Sequence, residues 1–457
     1  MHAQSAETVI ATQPPVSGKR PSGRRLAWLD ALRGFAALCV VFDHGTTLLL
    51  QGSRDVLYHV MNFGQYGVFV FFLVSGYIVP ASLERKGSVR SFWVSRAFRL
   101  YPMYLAAIAL SALAYYTRYG TISGAEHHPL ASVTSWAVML PNLLTGTNVP
   151  NVTWTLSYEM VFYLLLAALF SWNAHRRSGA FALTSASGAL ALGGILPMGA
   201  LAAWAGADGG NGQLALILVA DVLVLAGIFL AATERGPLTR IGATAAAVCA
   251  LVLLLVNQTY PYPWSGLTIL ALMFTGTLIY RAEQGQVSAR TAAVVTAAVL
   301  AETVAAGLWH GWGNGGQWRA QWVSSLLLAA ATFGLGMAVR RFRIPNGLAW
   351  LGLVSYSVYL LHPLVFNVYR EIPVFHRSHS LGVQLVLALG ILAAILAVSA
   401  AGYYGVEKPM QRLGRAVAKR LAREEAPPPV PAKDSSSATD LRTSSRSAVA
   451  GESGGSP

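Results

Sequence analysis

Charge is what this chain has least of: 11% of its 457 residues are charged, whereas 54% are hydrophobic. A water-soluble domain usually carries about 25% charge, so a soluble globular protein is excluded and a polytopic membrane protein is expected. Cysteine is nearly absent. Cys39 and Cys249 both fall inside apolar runs, which excludes a disulfide scaffold and predicts two buried thiols. There is no Cys/His metal spacing, no P-loop, no dinucleotide fingerprint and no internal repeat. Neither a metal nor a bound cofactor is therefore expected. Residues 1–25 contain no apolar run, so no secretory signal is read there. The net charge of +14 would suggest nucleic acid in a soluble protein. Here the positive residues cluster in short loops and at the chain ends, as in cytoplasmic loops of membrane proteins. The excess reads as topology plus attraction to anionic lipid, with no nucleic-acid partner.

What the chain has is apolar runs. A basic flank (Lys19, Arg20, Arg24 and Arg25) precedes the first of them and predicts a cytoplasmic N-terminus. Twelve segments follow: 29–50, 63–82, one ending near Tyr116, one starting at Trp154, then 180–203, 213–232, 241–257, 265–280, 291–309, 322–339, 349–369 and 381–404. Several are short or glycine-rich. The expectation is an all-α, polytopic transmembrane helical bundle of about 10–12 spans in the inner (cytoplasmic) membrane, both termini cytoplasmic. Between the third and fourth spans, residues 133–144 suggest a shallow or re-entrant helix. The chain divides into a basic N-terminal segment (1–26), a transmembrane domain (27–409), a basic amphipathic surface stretch (410–425) and a disordered tail (426–457).

The first span is unusual in carrying Asp30, Arg33, Asp43 and His44. Intramembrane ionisable groups are expensive and are by default functional hypotheses. Arg33 and His44 are eleven residues apart, which puts both on one helical face about 16 Å apart along the axis. Arg33 would lie near one surface and His44 at or beyond mid-depth. The residues alone leave a structural alternative open, in which Arg33 reaches the headgroups beside Asp30 and His44 is a hydrogen-bonded packing residue. Residues 84–99 read as a cytoplasmic loop holding Arg85, Lys86, Arg90, Arg96 and Arg99. Asp221 and Glu302 fall at depth with no motif to claim them. Glu126, His127 and His128 read as a solvated loop.

Taken together, several of these pieces resemble the membrane-bound acyltransferase-3 family. Leu29-Asp30-Ala-Leu-Arg33-Gly34 through His44 is similar to that family's Arg-then-His pair on the first span. Gly67 to Gly76 resembles its second span, and Arg96-Ala-Phe-Arg99-Leu-Tyr-Pro102 its Arg-x-x-Arg motif. Trp154-Thr-Leu-Ser157-Tyr-Glu159 resembles its Trp-x-Leu-Ser-x-Glu segment. Tyr356-Ser-Val-Tyr-Leu-Leu-His362-Pro and Glu407-Lys-Pro409 resemble its closing spans. The matches run in order from Leu29 to Pro409; ten spans are usual in the family.

The resemblance implies transfer of an acyl group, acetyl by expectation, from cytosolic acyl-CoA to a hydroxyl of a glycan, a lipid-linked sugar or a glycosylated metabolite. Acyl-CoA would be a co-substrate. An imidazole titrating near neutrality suits the base, which points to His44, with Arg33 and Glu159 as its catalytic companions. Asp43 points about 100° away on a helix and cannot easily orient it. Glu159 would hold or charge His44 or grip the acceptor; the alternative is an acid capping its own helix together with Thr155 and Ser157. Arg96, Arg99 and Arg33 would meet the donor's phosphates, for which a guanidinium is better suited than an ammonium. Asp30, Asp43, Ser157, Tyr77 and His362 are further candidates for a substrate path, with a hydrogen-bonded packing histidine the equal alternative for His362. The rival class is a proton-coupled solute transporter with Arg33, His44, Glu302 and His362 along one route.

Overall fold

A computed structural model describes residues 27–49, 58, 59, 61–122, 124–206, 211–258, 260, 262–311, 315–372 and 380–424. Helices and turns make up these residues, with no strand among them. In chain order the helices are α1 (Ala27–Leu49), α2 (Phe63–Lys86), α3 (Val89–Tyr116), α4 (Pro129–Ala137), α5 (Pro141–Leu144), α6 (Trp154–Ser171), α7 (Ser178–Leu192), α8 (Ala200–Trp204), α9 (Asn211–Ala232), α10 (Gly236–Val256), α11 (Pro263–Glu283), α12 (Ala289–His310), α13 (Gly315–Val339), α14 (Asn346–Arg370), α15 (Leu381–Gly402) and α16 (Lys408–Glu424). Ten of them are long and apolar enough to cross a membrane: α2, α3, α6 and α9 to α15. Large apolar side chains such as Val222, Phe229, Val294, Leu335 and Val386 are exposed on their outer faces, as a lipid-facing surface requires. The protein is an all-α, multi-pass membrane protein.

Two of the twelve expected spans are absent from those ten. Helix α1 has 23 residues, long enough to cross, but it carries Asp30, Arg33, Asp43 and His44 and is less apolar than the ten. The expected segment 180–203 is broken: α7 ends at Leu192, and the five-residue α8 begins only at Ala200. Gly193, Gly194 and Pro197 fill the gap, and such residues end helices. At about 1.5 Å per residue, the 15 residues of α7 fall short of a bilayer core of about 30 Å. The expected shallow segment 133–144 is two short helices, α4 and α5. The N-terminal segment 1–26 and the tail 426–457 lie outside the described residues.

The basic stretch after α2 is not a loop. Gly87, in the left-handed conformation at φ 65°, ends α2, and the Ser88 side chain accepts a hydrogen bond from the Ser91 amide to start α3. A two-residue junction therefore puts Arg96 and Arg99 inside a helix, well beyond its first turn. The same end of the bundle is tied by the fully buried Arg281, which donates to Glu84 at 2.5 Å, to the His175 carbonyl at 2.8 Å and to Gln286 at 2.7 Å.

Helix α1 packs on both α2 and α14, and α2 packs in turn on α11. The close approach of α1 and α14 depends on Gly34 and Gly352. A β-carbon at Gly352 would stand 2.0 Å from the Asp30 carbonyl oxygen, and one at Gly34 would stand 2.8 Å from the Gly352 amide nitrogen. Small residues let membrane helices meet backbone to backbone. Gly352→Ala should therefore spread α1 from α14 and cost about 1–3 kcal/mol of overpacking, read as a lower thermal midpoint of the purified protein. An unchanged midpoint would mean that this contact does not set the spacing.

At the chain's other end, α15 continues through a π-helical turn, Tyr403–Glu407, into α16. Gly414 of α16 lies against Phe98 of α3. Both cysteines are free, as expected, but only Cys39 is buried; Cys249 is partly exposed. It sits on α10, a helix with few buried residues at the periphery of the bundle.

Candidate active site

The site begins with a histidine pair. His44 Nδ1 lies 2.9 Å from His362 Nε2, joining α1 to α14 across 318 residues of sequence. The other nitrogen of the His362 ring, Nδ1, lies 3.0 Å from the Val358 carbonyl one turn earlier. A carbonyl can only accept, so His362 Nδ1 carries a proton and donates it. In the neutral ring, Nε2 then has the lone pair, and His44 Nδ1–H must donate to it. This assignment follows from the partners, and it leaves Nε2 of a neutral His44 as a free lone pair. His362 is completely buried, and Phe366 packs edge-on against it at 6.0 Å. The pair is thus held by a fixed donor–acceptor chain ending on the α14 backbone.

His44 lines a cavity of about 260 Å³. Asp43 shares that wall but does not turn towards His44. Its carboxylate accepts from the Tyr58 hydroxyl, and its other oxygen stands beside Gly64 of α2. The adjacent position on a helix points elsewhere, as expected. Four tryptophans, Trp154, Trp264, Trp318 and Trp322, face the same cavity with the amides Asn62, Gln65 and Gln321.

A second cavity, of about 80 Å³, is lined by Arg33, Arg96, Arg99, Glu159, Ser75 and Tyr356, among others. Arg33 therefore faces the interior and does not reach out to headgroups. Asp30, Glu159 and Glu407 lie within its electrostatic reach, as does Arg99. Arg96 is 5% exposed, its guanidinium packed against the Phe92 and Tyr163 rings at 5.5 and 5.3 Å from their centroids. Glu159 accepts from Ser75 at 2.9 Å and from the Tyr163 hydroxyl. Glu159 is thus among the arginines and not at His44, whose Nδ1 is taken by His362. The helix-cap alternative also fails, because α6 has no acid in its first turn.

Two path candidates fall elsewhere. Ser157 is fully buried and accepts from the Asn142 amide at 3.4 Å, so it anchors α5 to α6. Tyr77 donates to Glu283 at the end of α11, which pairs in turn with Arg340 beyond α13. Neither lines a cavity described here. No role is expected for Glu407 from its motif alone. Its carboxylate accepts from Ser357 at 3.0 Å and Gln411 at 2.9 Å, and it sits within reach of Arg99 and Arg33. It is presented by the π-helical turn, a distortion often found at functional positions. Glu302 bonds to Ser187 of α7 at 2.8 Å, off any route from His44 to His362. Asp221 is buried, and its Oδ1 has no hydrogen-bond partner among the described residues; nothing in the structure explains it. No cluster of three metal-ligating side chains occurs among the described residues.

The family described as "Acyltransferase domain" matches residues 26–204 and 213–404. Nodulation protein 10 of Rhizobium leguminosarum bv. viciae is 32% identical over 189 residues, 37% of this chain and 51% of that protein. Acyltransferase MdmB of Streptomyces mycarofaciens is 32% identical over 149 residues, 31% of this chain and 38% of that protein. The chain thus aligns with about half of the first relative's length and less than two fifths of the second's. No solved structure matches.

Proposed function

The chain belongs to this acyltransferase family, and from that premise we propose that it is an O-acyltransferase taking its acyl group from acyl-CoA, acetyl-CoA first among donors. The acceptor is a hydroxyl, on a glycan, a lipid-linked sugar or a glycosylated metabolite. The arginine end of the bundle faces the cytosol of a bacterial-type inner membrane, which the basic residues Arg85, Lys86 and Arg90 at that end support.

The donor's anionic end meets Arg33, Arg96 and Arg99, and the acceptor enters the cavity of His44. His44 Nε2 takes the proton as the acceptor oxygen attacks the thioester carbonyl carbon. The carbon–oxygen bond forms, the tetrahedral intermediate collapses, and the carbon–sulfur bond breaks. The departing thiolate takes the proton back from the imidazolium, releasing coenzyme A and the ester and restoring neutral His44. The four tryptophans and three amides of the same cavity suit an acceptor with apolar faces and hydroxyl edges.

One observation carries this reading: the donor chain from His44 to His362 to the Val358 carbonyl leaves a lone pair on a histidine that lines one cavity, while the adjoining cavity holds three arginines. The test is purified protein in lipid nanodiscs with labelled acetyl-CoA, scored separately for binding and for acyl release in membranes of the native host. Failure of the protein to bind any acyl-CoA would overturn it. The transporter rival is weakened because Glu302 is on a different contact, with α7, and does not join His44 and His362.

Arg99→Ala should raise KM for acyl-CoA roughly 10- to 150-fold, the equivalent of one charge-assisted contact worth about 1.5–3 kcal/mol. Lysine should restore part of it, keeping the charge without the two-pronged geometry. Arg96→Ala should in addition lower thermal stability, because its buried guanidinium is packed against two aromatic rings. Steady-state kinetics against donor concentration check both, and an unchanged KM in Arg99→Ala would place the phosphates elsewhere.

A further inference from the structure

The two cavities share two lining residues, Val68 of α2 and Tyr359 of α14. Residues on four helices sort on either side of them. On α1, Arg33 lines one cavity and His44 the other; on α14, Tyr356 lies on the arginine side and His362 on the histidine side. On α2, Gln65 and Phe69 face the histidine cavity, and Phe72 and Ser75 face the arginine cavity. At the start of α6, Trp154 lies on the histidine side and Glu159 on the arginine side.

Tyr359 is held in place at this boundary. Its hydroxyl meets Thr155 Oγ1 at 2.9 Å and the Val152 carbonyl at 2.9 Å. Thr155 lines the arginine cavity and Val152 the histidine cavity. Phe71 packs edge-on against the Tyr359 ring at 5.7 Å. Val68 is held from behind, since a β-carbon on the neighbouring Gly67 would stand 2.6 Å from the Ala36 carbonyl of α1. The backbone of α2 cannot retreat there, so a larger side chain at position 68 must project into the space between the cavities.

We propose that Val68 and Tyr359 form a neck through which the acyl end of the donor passes from the arginine cavity to His44, and that the size of residue 68 sets the acyl length accepted. The inference rests on the acyl-CoA reading above. Tyr359 supplies the fixed wall and Val68 the adjustable one. Coenzyme A remains on the arginine side while its thioester reaches the acceptor, so donor binding and acyl delivery are separable.

The test uses the full-length protein in nanodiscs, with acetyl-, butanoyl- and octanoyl-CoA and a hexanoyl-CoA bearing a terminal diazirine. In the wild type, photolabel maps to Val152 and Trp154, on the histidine side, and not to Leu156 or Glu159. In Val68→Phe, donor binding stays within about twofold, label there falls at least tenfold, and acetyl transfer in native membranes falls at least tenfold. In Val68→Ala, the ratio of octanoyl to acetyl use rises at least tenfold. Should the phenylalanine variant misfold, the alanine variant carries the test alone. If the wild type binds none of the esters, the acyl-CoA reading and the neck fall together. If the wild type binds and uses them while the variants keep its label pattern and chain-length ratio, the neck alone is wrong.

Discussion

His44→Ala should leave a folded protein that binds acyl-CoA normally and transfers its acyl group about 10²- to 10⁴-fold more slowly. That range corresponds to roughly 2.7–5.5 kcal/mol of lost transition-state stabilisation. Folding survives because His44 is only half-buried, at the edge of a cavity, so truncation opens little new void. The abandoned acceptor, His362 Nε2, then faces a polar space that a water can enter. Donor binding survives because Arg33 lies about three helical turns, some 16 Å, along α1 from the substituted position, and Arg96 and Arg99 line its cavity and not that of His44. Binding by calorimetry and acyl release in native membranes, measured on the same preparation, separate the two effects. Transfer above a tenth of the wild-type rate would end His44's role as base, and loss of fold and donor binding together would make it a packing residue.

Much of the fold is legible in the sequence because a bilayer enforces one rule, long apolar helices, and the chain obeys it almost throughout. The failures have local causes. Segment 180–203 is apolar enough to read as one span, but Gly193, Gly194 and Pro197 interrupt the helix, and composition averages over them. Residues 84–99 read as a loop because five basic residues outweigh the punctuation. Gly87 and Ser88, a helix stop followed by a helix cap, were the better signal, and they reduce the loop to two residues.

The site was legible where one helix sufficed. Arg33 and His44 share a face by spacing alone, and both line cavities. What spacing cannot supply is the partner from another helix. Glu159 was the natural acid to assign to His44, being polar at the head of its own span, yet the depth of α6 against α1 puts it beside Arg33 and Ser75. His362 had a motif and only an undefined path role, because nothing within α14 reveals that Gly34 and Gly352 bring its helix against α1. Glu407 stood in a motif without a role for a similar reason: it reaches the arginines through a π-helical turn, which has no simple sequence signature. Ser157 belongs to a motif and Tyr77 directly follows one, yet both join helices, Ser157 to α5 and Tyr77 to α11.

His362 acts through His44, and that makes a sharper prediction than its loss alone. Its Nε2 accepts from His44 Nδ1–H and so selects the tautomer whose free lone pair is on Nε2. His362→Phe keeps the ring's bulk but removes the acceptor, leaving His44 to populate either tautomer. A wrong tautomer in a catalytic triad can cost about 10⁴ in turnover. Here the right tautomer stays available, but the ring also loses the partner that fixes its orientation, and the expected loss is about 10²-fold in kcat, with KM for acyl-CoA unchanged. Glutamine at 362 can accept through its carbonyl and donate through its amide to the Val358 carbonyl, so His362→Gln should recover at least a tenth of the wild-type rate. The double variant His44→Ala with His362→Phe should be no slower than His44→Ala, since a positioning residue has nothing left to position. Some loss of stability accompanies the phenylalanine, because the His44 Nδ1–H at the cavity wall loses its acceptor; thermal midpoints measured beside the rates account for it. Turnover of His362→Phe within threefold of the wild type, or further multiplicative loss in the double variant, would show that the two histidines merely pack together.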